Sequence, residues 1–328
     1  MNPSPGRRRG IVAVVMATVG LAVLAEALPW LGVSPYARTL VYYVAYYLAL
    51  GQAWNLMSGL TGYVSFAHGA LAGIGAYAVV IALNGNWPMA AALGVAIAAS
   101  VLASLVIGAT SLRLRGTAFT FATLFFQELV LLILRKLPFT GGPGGLVLDE
   151  ILPLWVPYAM MIVAAAGATL ILAFTRRSRL GIRVLAIKND EVAAAAIGIH
   201  ATRLKLILFC VSAAIAGVVG AIHGLYAASL YPDTVFSVDI SLIALAVPLI
   251  GGVATVSGPL VGAVLYVGIR EVLQVIAPGA HLVIVGLLLL AVILFMRDGV
   301  VVEIARRRRL RRQAAAPAGG PTVGESRA

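Results

Sequence analysis

Charged side chains are scarce in this sequence. Only 11% of the 328 residues are Asp, Glu, Lys or Arg, whereas 61% are hydrophobic. A soluble domain of this length needs far more charge to cover its surface, so the composition excludes an ordinary soluble globular protein. The apolar residues also come in blocks, and several blocks reach the roughly 20 residues that cross a hydrocarbon core. The chain is therefore predicted to cross a membrane several times.

Other absences narrow the class further. No alternating strands are found, which excludes a lipid-facing barrel and leaves an all-α polytopic helical bundle. The single cysteine, Cys210, has no partner for a disulfide or a cysteine metal site, and no His, Cys or carboxylate cluster has metal-ligand spacing. None of the three lysines, Lys136, Lys188 and Lys205, follows a glycine, so the chain lacks an ATP-binding P-loop. We expect no catalytic residues, no metal and no cofactor, and any ATP must be hydrolysed by another polypeptide.

The apolar blocks predict about ten spans, with uncertain boundaries. They lie near 11–29, 39–57, 60–83, 89–111, 117–134, 154–175, 205–228, 239–256, 257–276 and 281–296. The first span has a second interpretation, because Ala25-Glu26-Ala27 resembles a signal-peptidase site. We expect residues 1–312 to form one transmembrane domain with a cytoplasmic loop at 176–204. Residues 313–328, rich in Ala, Pro and Gly, are predicted to be a disordered cytoplasmic tail.

Basic residues set the predicted orientation. With the N-terminus inside, most of them fall in inner segments, above all in the clusters within 176–205 and 306–312. The positive-inside rule then places both termini in the cytoplasm and makes the span count even. The net charge of +12 also raises the possibility of nucleic-acid binding. Here the charge lies in loops and tails beside spans, without interleaved aromatics, so we expect contact with anionic lipid and no nucleic acid.

The inner loop contains a short predicted helix. It would begin near Glu191, be capped by Asp190 or Asn189, run through Ala193–Ala196 and end at Gly198. Small side chains let two backbones approach closely, so such a helix suits docking in a groove of a partner. An ordinary connecting loop is the alternative, but such loops need only a handful of residues. The candidate coupling residues are Asp190, Glu191, Ala193, Ala194, Ala195 and Gly198.

Three segments carry a family resemblance. Residues 59–77 read GLTGYVSFAHGALAGIGAY, residues 140–146 read TGGPGGL, and residues 186–209 read AIKNDEVAAAAIGIHATRLKLILF. In order and at these distances they resemble the branched-chain amino acid ABC transporter permease family, most closely the larger of its two permease subunits. The last segment contains E-x-A-A-x-A-x-G-I, which is similar to the motif by which bacterial ABC importer permeases dock on their ATPase. The resemblance spans roughly residues 40–296.

The resemblance implies a function and a set of partners. The chain would be the multi-pass permease subunit of an ABC importer in the bacterial inner membrane, and it would not be an enzyme. Its partners would be a second permease subunit, two cytoplasmic ATPase subunits and a periplasmic substrate-binding protein. The implied substrates are branched-chain or related hydrophobic amino acids, with urea or short amides as alternatives. An ion-coupled secondary transporter is less well supported, because only Glu128 is a mid-membrane carboxylate and the docking loop would be unexplained.

An internal echo points to a transport path. One constant shift aligns Gly69 with Gly258 and Gly73 with Gly262, so both copies carry G-x-x-x-G with helix breakers just upstream. Paired, interrupted hydrophobic segments are a sequence signal for a path, although a short echo also arises by chance. His68 and Glu128 are polar at membrane depth, where pairing between helices is the alternative to substrate contact. The path candidates are Gly62, Ser65, His68, Gly69, Gly73, Glu128, Gly251, Gly258 and Gly262.

The charge asymmetry leads to a topology test. In a Cys210→Ser background, a cysteine at Ser178 or Ala315 should react with an impermeant thiol reagent only from the cytoplasmic side. A cysteine at Gly144, in the glycine-rich outer loop, should react only from outside. Labelling of inside-out and right-side-out vesicles measures this, and reversed labelling at either position would contradict the predicted orientation.

Overall fold

The computed structural model describes residues 34–114, 116–276 and Gly286. These residues form an α-helical bundle with one two-residue antiparallel ladder between β1 and β2. The helices are α1 (Pro35–Trp54), α2 (Ala67–Asn84), α3 (Met89–Ser111), α4 (Thr117–Lys136), α5 (Trp155–Arg177), α6 (Arg179–Asn189), α7 (Glu191–Ala196), α8 (Ala201–Ala227), α9 (Pro232–Val235), α10 (Val238–Gly251) and α11 (Gly258–Ile276); the strands are β1 (Leu146–Val147) and β2 (Ser229–Leu230).

The all-α class is confirmed, but the count of ten spans is not. Within the described residues, seven helical stretches are long and apolar enough to cross a membrane: α2, α3, α4, α5, α8, the stretch Pro232–Gly251 that contains α9 and α10, and α11. The spans predicted at 11–29 and 281–296 lie outside those residues, as does the tail at 313–328. The remaining one, 39–57, falls on α1.

Helix α1 is not counted as a span because of its polar side chains. Its 20 residues include Arg38, Gln52 and five tyrosines, at 36, 42, 43, 46 and 47, which lower its mean hydropathy. Most of its C-terminal half is nevertheless buried, and it packs against α5, α8, α10 and α11. Tyrosine rings bury a large apolar area while keeping one polar group for a hydrogen bond. The C-terminal half of α1 is therefore covered by protein in the centre of the bundle.

Helices α2 and α8 form the closest pair in the bundle because small residues line both of them. Gly220 lies against Ala72, Gly224 against Ala76, and Gly217 against Gly75. A methyl group added at Gly220 would overlap the Ala72 carbonyl oxygen. Small residues at such contacts let two backbones approach and gain dispersion energy where no hydrophobic effect operates between helices. This pair holds α2, which carries the first copy of the echo, in the centre of the fold.

The two ends of the bundle are built differently. At the end that we call the ladder end, β1 pairs with β2, Asn84 Nδ2 donates to Val147 O at 2.8 Å, and Arg135 forms an ion pair with Asp233. At the opposite end, the α7 end, α6 and α7 lie beside the start of α8 and the segment that joins α1 to α2. The predicted outer and inner loops thus lie at opposite ends of the described fold.

The α2–α8 contact predicts a position-specific effect on stability. Gly220→Ala should lower the thermal midpoint of the detergent-solubilised protein, because overpacking of a close contact costs about 1–3 kcal/mol. Gly268→Ala in α11 is the matched control, because nothing lies within 4 Å of a methyl group added there. Equal midpoints for the two variants would show that the α2–α8 contact has room to relax.

Candidate functional site

The chain between α1 and α2 leaves α-helical geometry in the middle of the bundle. Helix α1 continues into a π-helical turn over Asn55–Gly59, and α2 begins only at Ala67. Gly62 has a φ of +80°, which glycine adopts without strain. The backbone of this segment is satisfied by side chains: Trp54 Nε1 donates to Ser65 O at 2.9 Å, and Ser65 N donates to Ser58 Oγ at 3.2 Å. The predicted span 60–83 therefore starts with a non-helical stretch, which we call the first break (residues 55–66).

A second break (residues 252–257) separates α10 from α11. Gly252 and Ala254 both have positive φ angles, of +136° and +59°. Thr255 Oγ1 donates to Gly252 O at 2.7 Å and accepts from Gly258 N at 3.0 Å, which closes the turn. Pro248 lies inside α10, one turn before it ends. The helix breakers that the sequence placed upstream of each G-x-x-x-G thus interrupt the helices.

The two breaks contact each other through α1 side chains. Asn55 Nδ2 donates to Thr255 O at 2.8 Å, and Ala254 N donates to Asn55 Oδ1 at 2.7 Å. One turn earlier, Gln52 Nε2 donates to Val256 O at 3.0 Å. Both Asn55 and Gln52 are fully buried. Side-chain amides therefore satisfy the backbone of the second break where water is excluded, as irregular backbone at membrane depth requires.

The glycines of the echo lie at close contacts. Gly69 lies against Ser241, and Gly73 lies against the ring of Phe236. Gly251 lies against Gly258, and Gly262 lies against Val247, so these three glycines pack α10 on α11. A Cβ at any of the five would overlap its neighbour. The nearest neighbours of Gly251, Gly258 and Gly262 lie within α10, α11 and the second break, whereas Gly69 contacts Ser241 of α10, and Asn55 joins the two breaks.

A buried polar cluster connects α2, α4 and α10. Ser241 Oγ accepts from Gly69 N at 2.8 Å and lies 2.5 Å from both Phe66 O and Gln127 Oε1. Gln127 Nε2 donates to Phe236 O at 3.1 Å. Ser241 thus satisfies the backbone at the start of α2 and fixes the approach of three helices.

His68 and Ser65 lie in the same buried layer. His68 Nε2 is 2.6 Å from Ser212 Oγ on α8, and Ser212 Oγ donates to Ala53 O at 2.8 Å. His68 is fully buried, and its Nδ1 has no hydrogen-bond partner among the described residues. Ser65 Oγ accepts from Ala67 N at 3.2 Å, at the first turn of α2. His68 therefore joins α2 to α8 and through Ser212 to α1, the pairing that was the alternative to substrate contact.

Glu128 is placed differently from the other polar residues of the spans. It is half-buried on α4, and no hydrogen bond or ion pair joins it to another described residue. The neighbouring side chains Phe125, Leu129 and Leu132 are exposed. Among the candidate spans of the described residues, α4 has the smallest fraction of residues buried against the rest of the chain. An unpaired carboxylate at this depth is costly against lipid. This face of α4 is therefore where a water-filled path or another membrane subunit is expected.

The loop at 176–204 contains two helices. Helix α6 precedes the predicted one and ends at Asn189, so Asn189 is not the cap of α7. Asp190 is the cap: its Oδ1 accepts from Val192 N at 2.9 Å and from Ala193 N at 3.0 Å. Helix α7 then runs over Glu191–Ala196, and Gly198 follows with a φ of +82°. The helix predicted to begin near Glu191 is therefore confirmed, with Asp190 as its cap and Gly198 just beyond its end.

The exposed side of α7 differs from the expected one. Ala194 is buried within this chain and is not available to a partner, whereas Ala193, Ala195 and Ala196 are exposed. Val192 and Ile197, which the sequence did not single out, are 68% and 75% exposed. Apolar side chains on both ends of a helix with alanines between them form a smooth surface. We call Val192, Ala193, Ala195, Ala196 and Ile197 the α7 surface.

Helix α7 is attached to the first break. Glu191 accepts from Lys205 Nζ at 2.7 Å and from Tyr63 OH at 2.6 Å. Lys188 Nζ donates to Gly59 O at 2.8 Å. Burial, and to a lesser extent the nearby Arg176 guanidinium, lowers the pKa of the Lys188 amino group. The loop and the interrupted membrane segment thus share one polar network at the α7 end.

Comparison with known proteins identifies the family. The model of the family described as "Branched-chain amino acid transport system / permease component" matches residues 36–293. The chain belongs to this family. The permease is 27% identical over 315 residues to the high-affinity branched-chain amino acid transport system permease protein LivM of Salmonella typhimurium and, equally, to LivM of Escherichia coli K12. Each match covers 84% of this chain and 72% of the relative. No solved structure matches the chain.

Several residues of the site could not be chosen from the sequence of the permease. Gln52, Ser212 and Ser241 are uncharged residues in apolar runs, and nothing in their spacing distinguishes them from other tolerated polar residues. Lys205 had been counted only as part of a basic cluster, but its side chain is 1% exposed. The one sequence feature that could have indicated its pairing is its place at the start of an apolar span, fourteen residues after the carboxylate of Glu191.

The contact between the two breaks makes a prediction for Asn55. Asn55→Leu keeps the volume but leaves Ala254 N and Thr255 O unpaired in a dry site, which costs about 1–3 kcal/mol for each group. We expect a lower thermal midpoint and a large loss of amino-acid uptake in proteoliposomes.

Asn84→Leu is the matched control. Asn84 makes the same two kinds of bond, to Val147 O at 2.8 Å and from Asp149 N at 3.1 Å, but does so at the ladder end near water. Its replacement should have a small effect in both measurements. Equal effects of the two variants would show that the Asn55 bridge is an ordinary loop contact.

Proposed function

We propose that this permease is the membrane-spanning subunit of an ABC importer that carries branched-chain or related hydrophobic amino acids into the cell. Membership of a branched-chain amino acid permease family supports the substrate class, and the two LivM relatives are branched-chain amino acid transport permeases. The chain has no P-loop lysine, so the energy comes from separate ATPase subunits. The substrate arrives on a periplasmic binding protein, and both termini of the chain lie in the cytoplasm.

The exposed, capped helix α7 is the observation that carries the coupling role. Its N-terminus is fixed by Asp190, and its exposed surface consists of Val192, Ile197 and three alanines. No element of the described residues covers this apolar surface, and a short exposed helix of this kind fits a hydrophobic groove in the manner of helix-in-groove recognition. The two ATPase subunits are the partners with such a groove, one for each permease subunit.

The two breaks and α4 support a path at the centre of a permease pair. Irregular backbone at membrane depth is tolerated where it lies in protein or lines a cavity, and the two breaks lie side by side. Glu128 lies on the open face of α4, which we assign to the interface with the second permease subunit. Amino acids carry an ammonium group that a carboxylate attracts, whereas urea and short amides do not. Glu128 therefore favours an amino acid over these alternatives.

The role assigned to Glu128 differs between an ABC importer and an ion-coupled secondary transporter. In such a transporter Glu128 would bind the coupling ion, and uptake would depend on an ion gradient without any ATPase. Leucine uptake by proteoliposomes holding the permease pair, the ATPases and the binding protein distinguishes the two. Uptake that requires ATP and persists without ion gradients supports the importer, and uptake driven by a gradient alone would overturn it.

The α7 surface makes a prediction for coupling. Ala195→Arg places a long charged side chain in the proposed contact, while the α7 backbone and the interior of the chain stay unchanged. The variant should insert normally but lose the ATPase on co-purification, or lose substrate-stimulated ATP hydrolysis. Thr202→Arg, which adds the same charge at an exposed position in the first turn of α8, should keep both. Wild-type behaviour of Ala195→Arg in both assays would remove α7 as the docking element.

A further inference from the structure

An ion pair between a buried lysine and a partly exposed glutamate lies between α7 and the membrane part of the bundle. Lys205 Nζ is 2.7 Å from Glu191 Oε1, and its side chain is 1% exposed. Taking an ammonium out of water is expensive unless opposite charge and hydrogen bonds compensate it. Here the compensation comes from Glu191, the first residue of α7. The burial of Lys205 therefore depends on α7 staying where it is.

Tyr63 extends this pair into the first break. Its hydroxyl donates to Glu191 Oε2 at 2.6 Å, and the Lys205 ammonium lies over its ring at 3.7 Å from the centroid. A cation over a tyrosine ring is attracted by the negative face of the ring. The Tyr63 ring also packs edge-on against Phe119 at the start of α4, with centroids 5.5 Å apart. Both oxygens of the Glu191 carboxylate are thus occupied, one by α8 and one by the first break.

A second connection runs from α6 to the same segment. Lys188 Nζ donates to Gly59 O at 2.8 Å, at the last residue of the π-helical turn. Carbonyl groups at the end of a helix have no partner within the helix, and a cation there is favourable. The Lys188 stem passes within van der Waals distance of Gly62, where a Cβ would lie 3.3 Å from Lys188 Cγ. Gly62 leaves room for this lysine.

We propose that Tyr63, Lys188, Glu191 and Lys205, which we call the inner clamp, make α7 and the first break move as one unit. This inference rests on the proposed function of α7 as the element that docks on the ATPase. A displacement of α7 is then delivered to the π-helical turn and from Asn55 to the second break. Tyr63 and Lys205 are positioning residues for transport. They lie at the α7 end of the bundle and act on the path through the backbone of residues 59–63.

The clamp follows from the way in which its parts are joined. Helix α7 is only six residues long, and it makes few other contacts with the membrane helices. Residues 62–66 of the first break lie outside any helix, and side-chain hydrogen bonds from Ser58 and Thr123 hold the backbone at Ser65 and Phe66. Short charge-assisted hydrogen bonds connect the two without a flexible link between them. A motion of α7 relative to the first break must therefore break the hydrogen bond between Tyr63 and Glu191.

The experiment uses the assembled transporter in proteoliposomes, with leucine as the transported probe. In a Cys210→Ser background, Val64→Cys reports on the first break, because Val64 is exposed and lies next to Tyr63. Its rate of reaction with a maleimide is measured without nucleotide and after trapping with ATP and vanadate. ATPase co-purification, ATP hydrolysis and leucine uptake are measured on the same preparations. In the parent we expect the labelling rate to change on trapping.

Tyr63→Phe removes the hydroxyl and keeps the ring. We expect it to keep ATPase binding and ATP hydrolysis, to lose the nucleotide-dependent change in labelling, and to lower leucine uptake per ATP by about tenfold or more, the factor for one hydrogen bond to a charged group. Tyr158→Phe is the control, because it also removes one hydroxyl contact between helices, at 3.2 Å from Thr39 Oγ1 near the ladder end. It should behave as the parent.

Lys188→Met tests the second connection without disturbing the buried pair, and it should reduce the labelling response in the same direction. Parent-like labelling and uptake in both Tyr63→Phe and Lys188→Met would overturn the clamp. Loss of ATPase binding in Tyr63→Phe would also overturn it, because the tyrosine would then shape the docking surface only. Failure of the parent itself to retain the ATPase would instead count against the proposed function, so the two failures are distinguishable.

Discussion

Backbone that leaves the helix inside a membrane must find hydrogen-bond partners without water, and in this permease the Asn55 side chain provides them. Its amide matches one free N–H and one free C=O of the second break, as a paired strand would. Gln52 extends the match by one further carbonyl. Because an unpaired peptide group in a dry site is so costly, the two breaks depend on each other. The position of α1 between them is then fixed, and the rest of the bundle is arranged around it.

Small residues determine how the other helices are placed around α1. In lipid, apolar surface gives no net drive for two helices to associate, so close backbone approach and polar contacts have to hold them. Close backbone approach holds the α2–α8 pair, at Gly217, Gly220 and Gly224. Polar contacts hold α2, α4 and α10 together, through Ser241 and Gln127. The same layer of the bundle thus combines close packing with a few buried hydrogen bonds, which leaves little freedom around residues 65–69.

Hydropathy, together with helix-capping and helix-breaking residues, predicted much of this arrangement. The apolar blocks located the seven candidate spans of the described residues, and Asp190 and Gly198 marked the ends of α7, because capping depends on residues within one turn. The G-x-x-x-G spacings indicated close contacts that the structure has. Composition did not indicate that α1 would be covered on most sides, since tyrosine and glutamine lower mean hydropathy whether they face protein or water.

Pairings across the chain were beyond reach of the sequence. Asn55 meets Thr255 and Gln127 meets Ser241 only after the helices have packed, and periodicity reports which face is buried, not what covers it. Ala194 shows the same limit at close range: four consecutive alanines look alike, but the direction of α7 against α8 buries one of them and exposes the others. Lys205 was hidden in a basic cluster because a charge count does not separate a buried lysine from solvated arginines.

The loops at the ladder end are tied to one another before anything binds there. The β1–β2 pair joins the segment after α4 to the segment after α8, Asn84 bonds to the same strand, and Arg135 and Asp233 join α4 to α9. Among the described residues, three connections already hold the loops of this surface to one another, so these loops need little further ordering on contact. Association with a soluble carrier at this face would then carry a small entropic penalty. A protein bound at such a face could dissociate quickly, because the conformation of the face would not depend on binding.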